Sequence, residues 1–149
     1  PSNRLELGMP LVDAIGNNLD NLINNVPEPY RKDAAALPVA TDFTLTGATV
    51  NVPGTEKKAQ VGNLTWICHN LWLQYRFSMD ESILRNTLYP TLRRAVNFYL
   101  PFLTEDKSGK LHLKRTYSPE YCRRLQLRHR PVALGMQYIA RGKQDSICR

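Results

Sequence analysis

The sequence predicts an all-α protein with one small β-hairpin, and three patterns support this prediction. Apolar residues recur at helical spacing in the N-terminal region and again after Asp80. The segment between them, Val61 to Phe77, is apolar around nearly the whole circumference of a helix. A charged turn at 105–109 precedes a short alternation of polar and apolar residues, which is typical of a half-buried strand. The 149 residues, 42% of them hydrophobic, suffice for one domain with a core.

The first predicted helix runs from Met9 to Val26. Its Asn and Gly residues at 16–18 lower the intrinsic helix propensity, so we expect the helix to depend on packing against a partner. Three prolines then interrupt the chain, and residues 39–61 have a composition that suits a long loop with one short hairpin. The apolar positions that define the helix are Leu11, Val12, Ile15, Leu19, Leu22, Ile23 and Val26.

The segment Val61 to Phe77 predicts a helix covered on all sides by other elements, because its aromatic and aliphatic residues leave almost no polar face. A helix of that kind implies a larger protein of which this chain is a piece. We expect Cys68, inside this segment, to be a small core residue rather than a reactive thiol. Together with Cys122 and Cys148 it makes three cysteines, whose spacing indicates neither a disulfide framework nor a metal site.

Another helix is predicted to begin at Asp80, a good N-cap, and to run to Leu103. Pro90 interrupts this helix, so we expect a break or kink at Tyr89, after which the helix resumes. The hairpin comes next and leads to residues 116–121.

Within residues 116–121, Pro119 restricts the residue before it to an extended conformation. Pro119 therefore fixes the direction in which Glu120 leaves the loop.

We divide the chain into a folded part at residues 1–121 and a tail at residues 122–149. No run in the chain approaches the roughly 20 apolar residues that a membrane span requires. No signal-peptide pattern opens the sequence.

The net charge of +7 is concentrated in the tail, residues 122–149, which carries seven basic side chains and one acidic side chain. Residues 1–121 are nearly balanced, with 13 basic and 12 acidic groups. One interpretation is a solvated basic tail that binds nucleic acid. Because its arginines are not interleaved with aromatic residues, the tail is a poor nucleic-acid site.

A second interpretation of the tail is a frameshift near Cys122. If the codons after Cys122 are read one base later, permissive codon choices give Ala-Ala-Ala-Tyr-Asn-Tyr-Asp-Ile-Ala-Leu-Ser-Leu-Leu, which is typical of the start of an amphipathic helix. The excess of basic residues begins, and the helical periodicity of apolar residues ends, at the same position, Cys122. Sequencing the gene tests this hypothesis, because codons incompatible with the alternative frame would exclude it.

An ordered series of short motifs runs through residues 60–121. The motifs are Val61-Gly62-Asn63-Leu64-Thr65-Trp66, His69-Asn70-Leu71-Trp72, Tyr75-Arg76-Phe77-Ser78-Met79-Asp80, Leu88-Tyr89-Pro90, Asn97-Phe98-Tyr99-Leu100, Gly109-Lys110-Leu111 and Ser118-Pro119-Glu120. This series resembles bacterial glycoside hydrolases similar to family 95, which contains α-L-fucosidases and related α-L-glycosidases. The resemblance is good over residues 60–121 and weak over residues 9–59. The alternative-frame Asn-Tyr-Asp-x-Ala-Leu is similar to the residues that come after Ser-Pro-Glu in that family.

The resemblance implies a fragment of an (α/α)6 toroid, a ring of paired helices whose loops at one end form the sugar pocket. It places Glu120 at the family's proposed general acid, which protonates the leaving oxygen as the glycosidic bond breaks. In an inverting enzyme a second group activates water about 6.5–9.5 Å from the acid. No residue of this chain matches that base, so the resemblance implies that the rest of the catalytic domain is missing.

The same resemblance implies a substrate class and a compartment. The implied substrate is an oligosaccharide or other glycan, hydrolysed with inversion, and neither a metal nor an organic cofactor is implied. Intact family members are expected to be periplasmic or secreted. The alternatives are a non-enzymatic basic protein that binds nucleic acid through residues 122–149, and an inactive truncated product.

Four residues are candidates for the site, and each also has a plainer interpretation. Glu120 is either the general acid or a solvated carboxylate. Trp66, like Trp72 and Tyr75, fits a core residue, although it lies near the helix start and could stack on a pyranose ring. His69, one turn later, fits either a hydrogen bond to a sugar hydroxyl or a buried structural histidine. Asp42 is a weak candidate for a substrate contact from the loop.

Overall fold

A computed structural model describes residues 4–55 and 59–117. Four α-helices are present in these residues: α1 (Met9–Asn17), α2 (Leu19–Asn24), α3 (Asn63–Ser78) and α4 (Tyr89–Asn97). A π-helical segment (Ile83–Leu88) directly precedes α4, and 3₁₀ turns lie at Leu5–Gly8, Tyr30–Asp33 and Leu100–Phe102. Strands β1 (Leu103–Glu105) and β2 (Leu111–Leu113) pair antiparallel. The predicted all-α fold with one small hairpin is confirmed.

Two apolar clusters form the core. The larger cluster joins α1, α2 and α3 to the π-helical segment and to α4, and Leu22 and Leu71 at its centre are fully inaccessible to solvent. The smaller cluster holds the end of α4 against the loop before α3, with Phe98 packed edge to face on Phe102 at 5.7 Å between ring centroids. Leu113 at the end of β2 packs against this second cluster.

The N-terminal helix predicted from Met9 to Val26 is divided into α1 and α2 at Asn18. The side-chain amide of Asn18 donates to the backbone carbonyl of Ala14 at 2.8 Å, and the Asn18 backbone departs from helical geometry. Asparagine competes with the helix in this way because its side chain bonds to nearby backbone groups. The low helix propensity of residues 16–18 was correctly predicted. Its consequence, which was not predicted, is that the helix is interrupted at Asn18.

Gly16 in α1 allows the π-helical segment to approach closely. A Cβ atom at this position would lie 2.9 Å from Oγ1 of Thr87, which is buried. Threonine is stiff at its first side-chain torsion and cannot move away at little cost. Gly16 weakens the isolated helix, but the close packing of Thr87 leaves no room for a larger residue at this position.

The interruption predicted at Tyr89 takes the form of a change in helix type. The Asp80 carboxylate accepts from the backbone N–H of Ser82 at 2.8 Å, as expected of an N-cap. The backbone N–H of Tyr89 bonds to Leu84 five residues earlier, and the chain then continues as α4 through Pro90. The expected break is absent, because the π-helical turn before Pro90 keeps the chain helical, and the alternative expectation of a kink stays a prediction.

Helix α3 corresponds to the predicted segment Val61–Phe77 but is not covered on all sides by the described residues. Leu64, Cys68 and Leu71 form its buried face. Trp66 and Phe77 are exposed, with 76% and 62% of their surfaces accessible. Complete coverage of α3 by elements of a larger protein stays a prediction, because apolar composition alone does not say which elements are present to cover a helix.

Asn25 ties the long loop at 34–50 to the end of α2. Its side-chain amide is buried and donates to the carbonyls of Leu45 (2.8 Å) and Ala36 (3.4 Å). Its carbonyl oxygen accepts from the backbone N–H of Gly47 at 3.2 Å, and its backbone carbonyl accepts from Val50 at 2.9 Å. Through its side chain and its backbone carbonyl, this one buried residue thus holds three separate parts of the loop.

The short hairpin predicted within residues 39–61 is present at 41–47, where Thr41 and Gly47 form a β-bridge. Oδ1 of Asp42 organises its turn by accepting from the backbone N–H of Thr44 (2.8 Å), the Thr44 hydroxyl (2.7 Å) and the backbone N–H of Thr46 (3.0 Å). Leu45 takes the left-handed conformation, with φ 61°. These bonds lower the pKa of Asp42, the Thr44 side chain contributing most.

The β1–β2 hairpin repeats this arrangement with Asp106. Its Oδ1 accepts from the backbone N–H (2.8 Å) and hydroxyl (2.7 Å) of Ser108 and from the backbone N–H of Lys110 (3.0 Å). Oδ2 lies 2.6 Å from Nε2 of His112, and Gly109 occupies the left-handed position with φ 78°. The pKa of Asp106 is lowered, first by the Ser108 hydroxyl and then by His112.

Acidification should therefore open the β1–β2 turn. Because its pKa is lower in the folded chain than the unfolded value of about 3.9, Asp106 contributes stability above that value and loses it as the pH falls further. We expect the backbone amide resonances of Ser108 and Lys110 to titrate with a midpoint below 3.9, measured by NMR as a function of pH. Asp106→Asn should remove this titration, and a midpoint at or above about 3.9 would contradict the assignment.

Candidate active site

The described chain ends three residues before Glu120, which lies outside the described residues with the rest of 118–149. The chain segment that leads to Glu120 is held in place by backbone hydrogen bonds. The backbone N–H of Tyr117 donates to the carbonyl of Ala59 at 2.9 Å, and both Ala59 and Thr116 are buried. The backbone carbonyl of Arg115 accepts from Gly54 at 2.8 Å. The segment that carries the candidate acid therefore starts from a fixed position beside the loop that precedes α3.

The start of α3 is fixed by Tyr99, which comes just after the end of α4. The Tyr99 hydroxyl donates to the backbone carbonyl of Val61 at 2.7 Å and lies 3.3 Å from Oγ1 of Thr65. Thr65 in turn donates to the carbonyl of Gly62 at 2.8 Å. Burial raises the pKa of Tyr99, which keeps its hydroxyl protonated at neutral pH. These contacts order the first turn of α3.

Trp66 lies in that first turn and points away from the core. With 76% of its surface accessible, it is not part of the core formed by the described residues, and a place in the core of a larger protein stays a prediction. Its backbone N–H bonds to Gly62 at 3.1 Å, so its Cα position is set by the ordered start of α3. An exposed indole on a rigid backbone offers a flat apolar surface for a sugar ring.

His69 belongs to a stack of three side chains along the same helix. The ring centroids of His69 and Trp72 are 5.8 Å apart, and the interplanar angle is 23°. The guanidinium carbon of Arg76 lies 5.4 Å from the centroid of the Trp72 ring, in a cation–π contact. His69 is exposed in the described chain, and its burial in a larger protein stays a prediction. The stack limits the orientations of the imidazole while leaving it accessible to solvent.

Asp42 lies on a different part of the molecule, in the turn at 41–47 that packs on α2. Asn21 donates to the carbonyl of Thr44 at 2.9 Å and holds this turn in place. Oδ1 of Asp42 is used by the turn itself, in the same way as Oδ1 of Asp106. A structural role thus accounts for its side chain, and a contact with substrate stays a prediction.

Two features of the site were not found by sequence reasoning. Tyr99 was identified only as part of the motif at 97–100, although a buried tyrosine normally needs a partner for its hydroxyl, which was the available signal. Arg76 was not connected with His69 and Trp72, although spacings of three and four residues place all three on one side of a helix. The contact of the Tyr99 hydroxyl, which links the start of α3 to the end of α4, was therefore not predicted.

The described residues show no group of three or more His, Cys, Asp or Glu side chains placed to hold a metal ion. Over the same ranges, the helices are too short or too polar to cross a bilayer. Cys68 is free and buried, and burial raises the pKa of its thiol to about 12. A thiol with that pKa is inert at neutral pH, which confirms the prediction of a core residue.

Comparison with known families gives one match that covers most of the chain. Residues 2–140 match the glycosyl hydrolase family 95 catalytic domain, and this match continues beyond Cys122. The reading frame after Cys122 stays a prediction. No solved structure matches the chain.

Two curated relatives match a shorter part of the chain. Alpha-L-fucosidase 2 of Arabidopsis thaliana is 34% identical over 56 residues, which is 38% of this chain and 7% of the relative. The probable alpha-fucosidase A of Aspergillus niger is 36% identical over 59 residues, with the same shares of 38% and 7%. The matched stretch thus spans only a small part of each relative.

Proposed function

Because the chain belongs to the glycosyl hydrolase family 95 catalytic domain family, we propose that it forms one part of the active site of a glycosidase that acts on α-L-fucosides. The match over residues 2–140 carries this proposal. The substrate class rests on the names of the two relatives, both of which are alpha-fucosidases. The helices with one two-stranded hairpin agree with a fragment of an (α/α)6 toroid.

In this proposal Glu120 is the general acid and Trp66 is a stacking surface for the sugar. Glu120 comes three residues after the anchored Tyr117 in the sequence. Ala59, which holds Tyr117, is four residues before α3, and Trp66 lies in the first turn of that helix. The anchored end of the segment that carries the candidate acid is therefore bonded to the chain just before the helix that carries the indole.

His69 would donate a hydrogen bond to a sugar hydroxyl from its accessible imidazole. Its stacking on Trp72 means that less orientational freedom is lost on binding, which favours affinity. The catalytic base would come from residues outside this chain, since an inverting hydrolase needs a second group on the opposite face of the sugar. We therefore expect the 149-residue chain alone to be inactive.

The experiment is to sequence the genomic DNA around this segment and to express the complete open reading frame that it defines. That protein should release L-fucose from α-L-fucosides, measured by reducing-sugar or chromatographic assay, whereas the 149-residue chain should not. A folded full-length protein without activity on α-L-fucosides or other α-L-glycosides would contradict the proposed function. Turnover by the isolated chain would contradict the assignment of the base to another segment.

The nucleic-acid alternative rests on residues 122–149, which lie outside the described residues. It makes a different prediction, because phosphate contacts weaken steeply as salt is added. Salt-dependent binding to DNA by the isolated chain would favour that alternative.

A further inference from the structure

Phe43 lies in the turn at 41–47 with 92% of its surface accessible to solvent. Its neighbours in the chain, Asp42 and Thr44, are both polar. A single exposed apolar side chain is common on protein surfaces and needs no explanation by itself. The backbone beneath Phe43, however, is held much more firmly than an exposed loop requires.

The turn that carries Phe43 is held by Asn21 of α2 and by Asn25, which follows that helix. Asn21 donates to the carbonyl of Thr44 at 2.9 Å, and Asn25 donates to the carbonyl of Leu45 at 2.8 Å. Inside the turn, three further hydrogen bonds converge on one carboxylate oxygen. Little backbone freedom is therefore lost when a ligand binds the ring of Phe43.

The carboxylate of Asp42 has a second oxygen, which the turn does not use. Its Oδ1 accepts all three hydrogen bonds within the turn, and no residue in the described ranges bonds to Oδ2. The bond from the Thr44 hydroxyl contributes most to lowering the pKa of Asp42, so this exposed group is ionised at neutral pH. Oδ2 is thus an acceptor for hydroxyl groups next to an aromatic ring.

Two classes of partner fit a rigid exposed ring of this kind. An apolar pocket of the remaining catalytic domain would also enclose the Asp42 carboxylate, and the burial of an ionised group without a partner is costly. A sugar instead offers an apolar face of C–H groups to the ring and hydroxyl donors to the carboxylate. The combination of ring and carboxylate therefore favours a sugar over an apolar pocket.

We propose that Phe43 is a sugar-binding residue, whose ring stacks on a pyranose ring of a glycan while Oδ2 of Asp42 accepts hydrogen bonds from hydroxyl groups of the same sugar. This inference rests on the proposed function for the class of ligand, because the family is one of glycosyl hydrolases. The hydrogen bonds of the turn supply the rigidity of this contact, and Phe43 supplies its surface.

The test measures sugar binding at the turn itself. The 149-residue chain is titrated with 2′-fucosyllactose, and the NMR shifts of the backbone amides of Thr44 and Thr46 are followed. We expect saturable shifts of both amides, with a Kd in the millimolar range. Glycerol at the same concentration of hydroxyl groups should produce no saturable shift. The absence of saturable shifts with the sugar would overturn the inference.

Two substitutions at Phe43 separate stacking from general apolar contact. Phe43→Leu retains an apolar side chain without a flat ring and should raise the Kd at least about tenfold, whereas Phe43→Trp should retain the affinity. The matched control is Tyr89→Leu, which removes another exposed ring and should leave the Kd unchanged. Because Phe43 is so exposed, these variants should fold, which circular dichroism checks. Equal affinity of Phe43→Leu and wild type would contradict the proposed stacking.

The full-length protein separates a sugar from a pocket of the remaining domain. Phe43→Ala should leave its Tm unchanged, because a ring that contacts sugar is exposed in the free protein. A Tm several degrees below that of the wild type would place the ring in an apolar contact and overturn the inference. An active wild type without sugar binding at Phe43 would leave the proposed function intact. Sugar binding at Phe43 by a wild type that hydrolyses no α-L-glycoside would overturn the proposed function alone.

Discussion

Glu120→Gln should lower kcat of the full-length protein on fucosylated oligosaccharides by about 10²- to 10⁴-fold, the usual contribution of a general acid. Glutamine keeps the size of the side chain and its hydrogen-bonding capacity but has no proton to give to the leaving oxygen. Because an alkoxide is a poor leaving group, the loss should be large on natural glycans. It should be small on an aryl fucoside whose phenolate leaves without help.

The pH profile gives a second readout of the same change. A general acid must be protonated to act, so the decline of kcat at high pH in the wild type should disappear in Glu120→Gln. The matched control is Glu105→Gln, which makes the same substitution at an exposed glutamate of β1 and should leave kcat and its pH profile unchanged. Full activity of Glu120→Gln on oligosaccharides would remove Glu120 from the role of acid.

Asn25→Leu should lower the free energy of unfolding by about 3 kcal/mol, which corresponds to about 10 °C in Tm for a chain of this size. The substitution preserves approximate volume but leaves the carbonyls of Leu45 and Ala36 and the N–H of Gly47 without their partner. A buried polar group without a partner typically costs about 1–3 kcal/mol. The long loop at 34–50 would lose the attachments to α2 that the Asn25 side chain provides, and would keep those of Asn21 and of the backbone.

Asn24→Leu is the matched control for this prediction. It makes the same substitution one residue earlier, at an exposed side chain, and should change the free energy of unfolding by less than about 0.5 kcal/mol. Both free energies are measured by urea unfolding monitored by circular dichroism. Equal effects of the two substitutions would contradict the role assigned to the buried amide.

Local patterns predicted several elements well. The Asp80 N-cap, the β1–β2 hairpin and the burial of Cys68 can all be inferred from short stretches of sequence. Each depends on contacts between residues close in the chain, or on the preference of one residue type for the core. The ordered motifs at 60–121 also predicted the family correctly, because a family is defined by residue identities and not by contacts.

Other features could not be predicted from local patterns. The exposure of Trp66 and His69 in the described chain depends on which other elements pack against α3, and periodicity does not describe that. The continuity of the helix through Pro90 depends on a π-helical turn. That turn packs on Gly16 through Thr87, a contact that local propensity does not include.

The helical class, the position of the hairpin and the family can be inferred from the amino-acid sequence, since they depend on local spacing and residue identity. The exposed face of α3, and the hydrogen bond by which Tyr99 contacts the residues just before that helix, can be known only from the folded chain. These two features depend on contacts between residues far apart in the sequence. Tyr99 meets a carbonyl 38 residues away, and such a contact is set by packing and not by neighbouring residues.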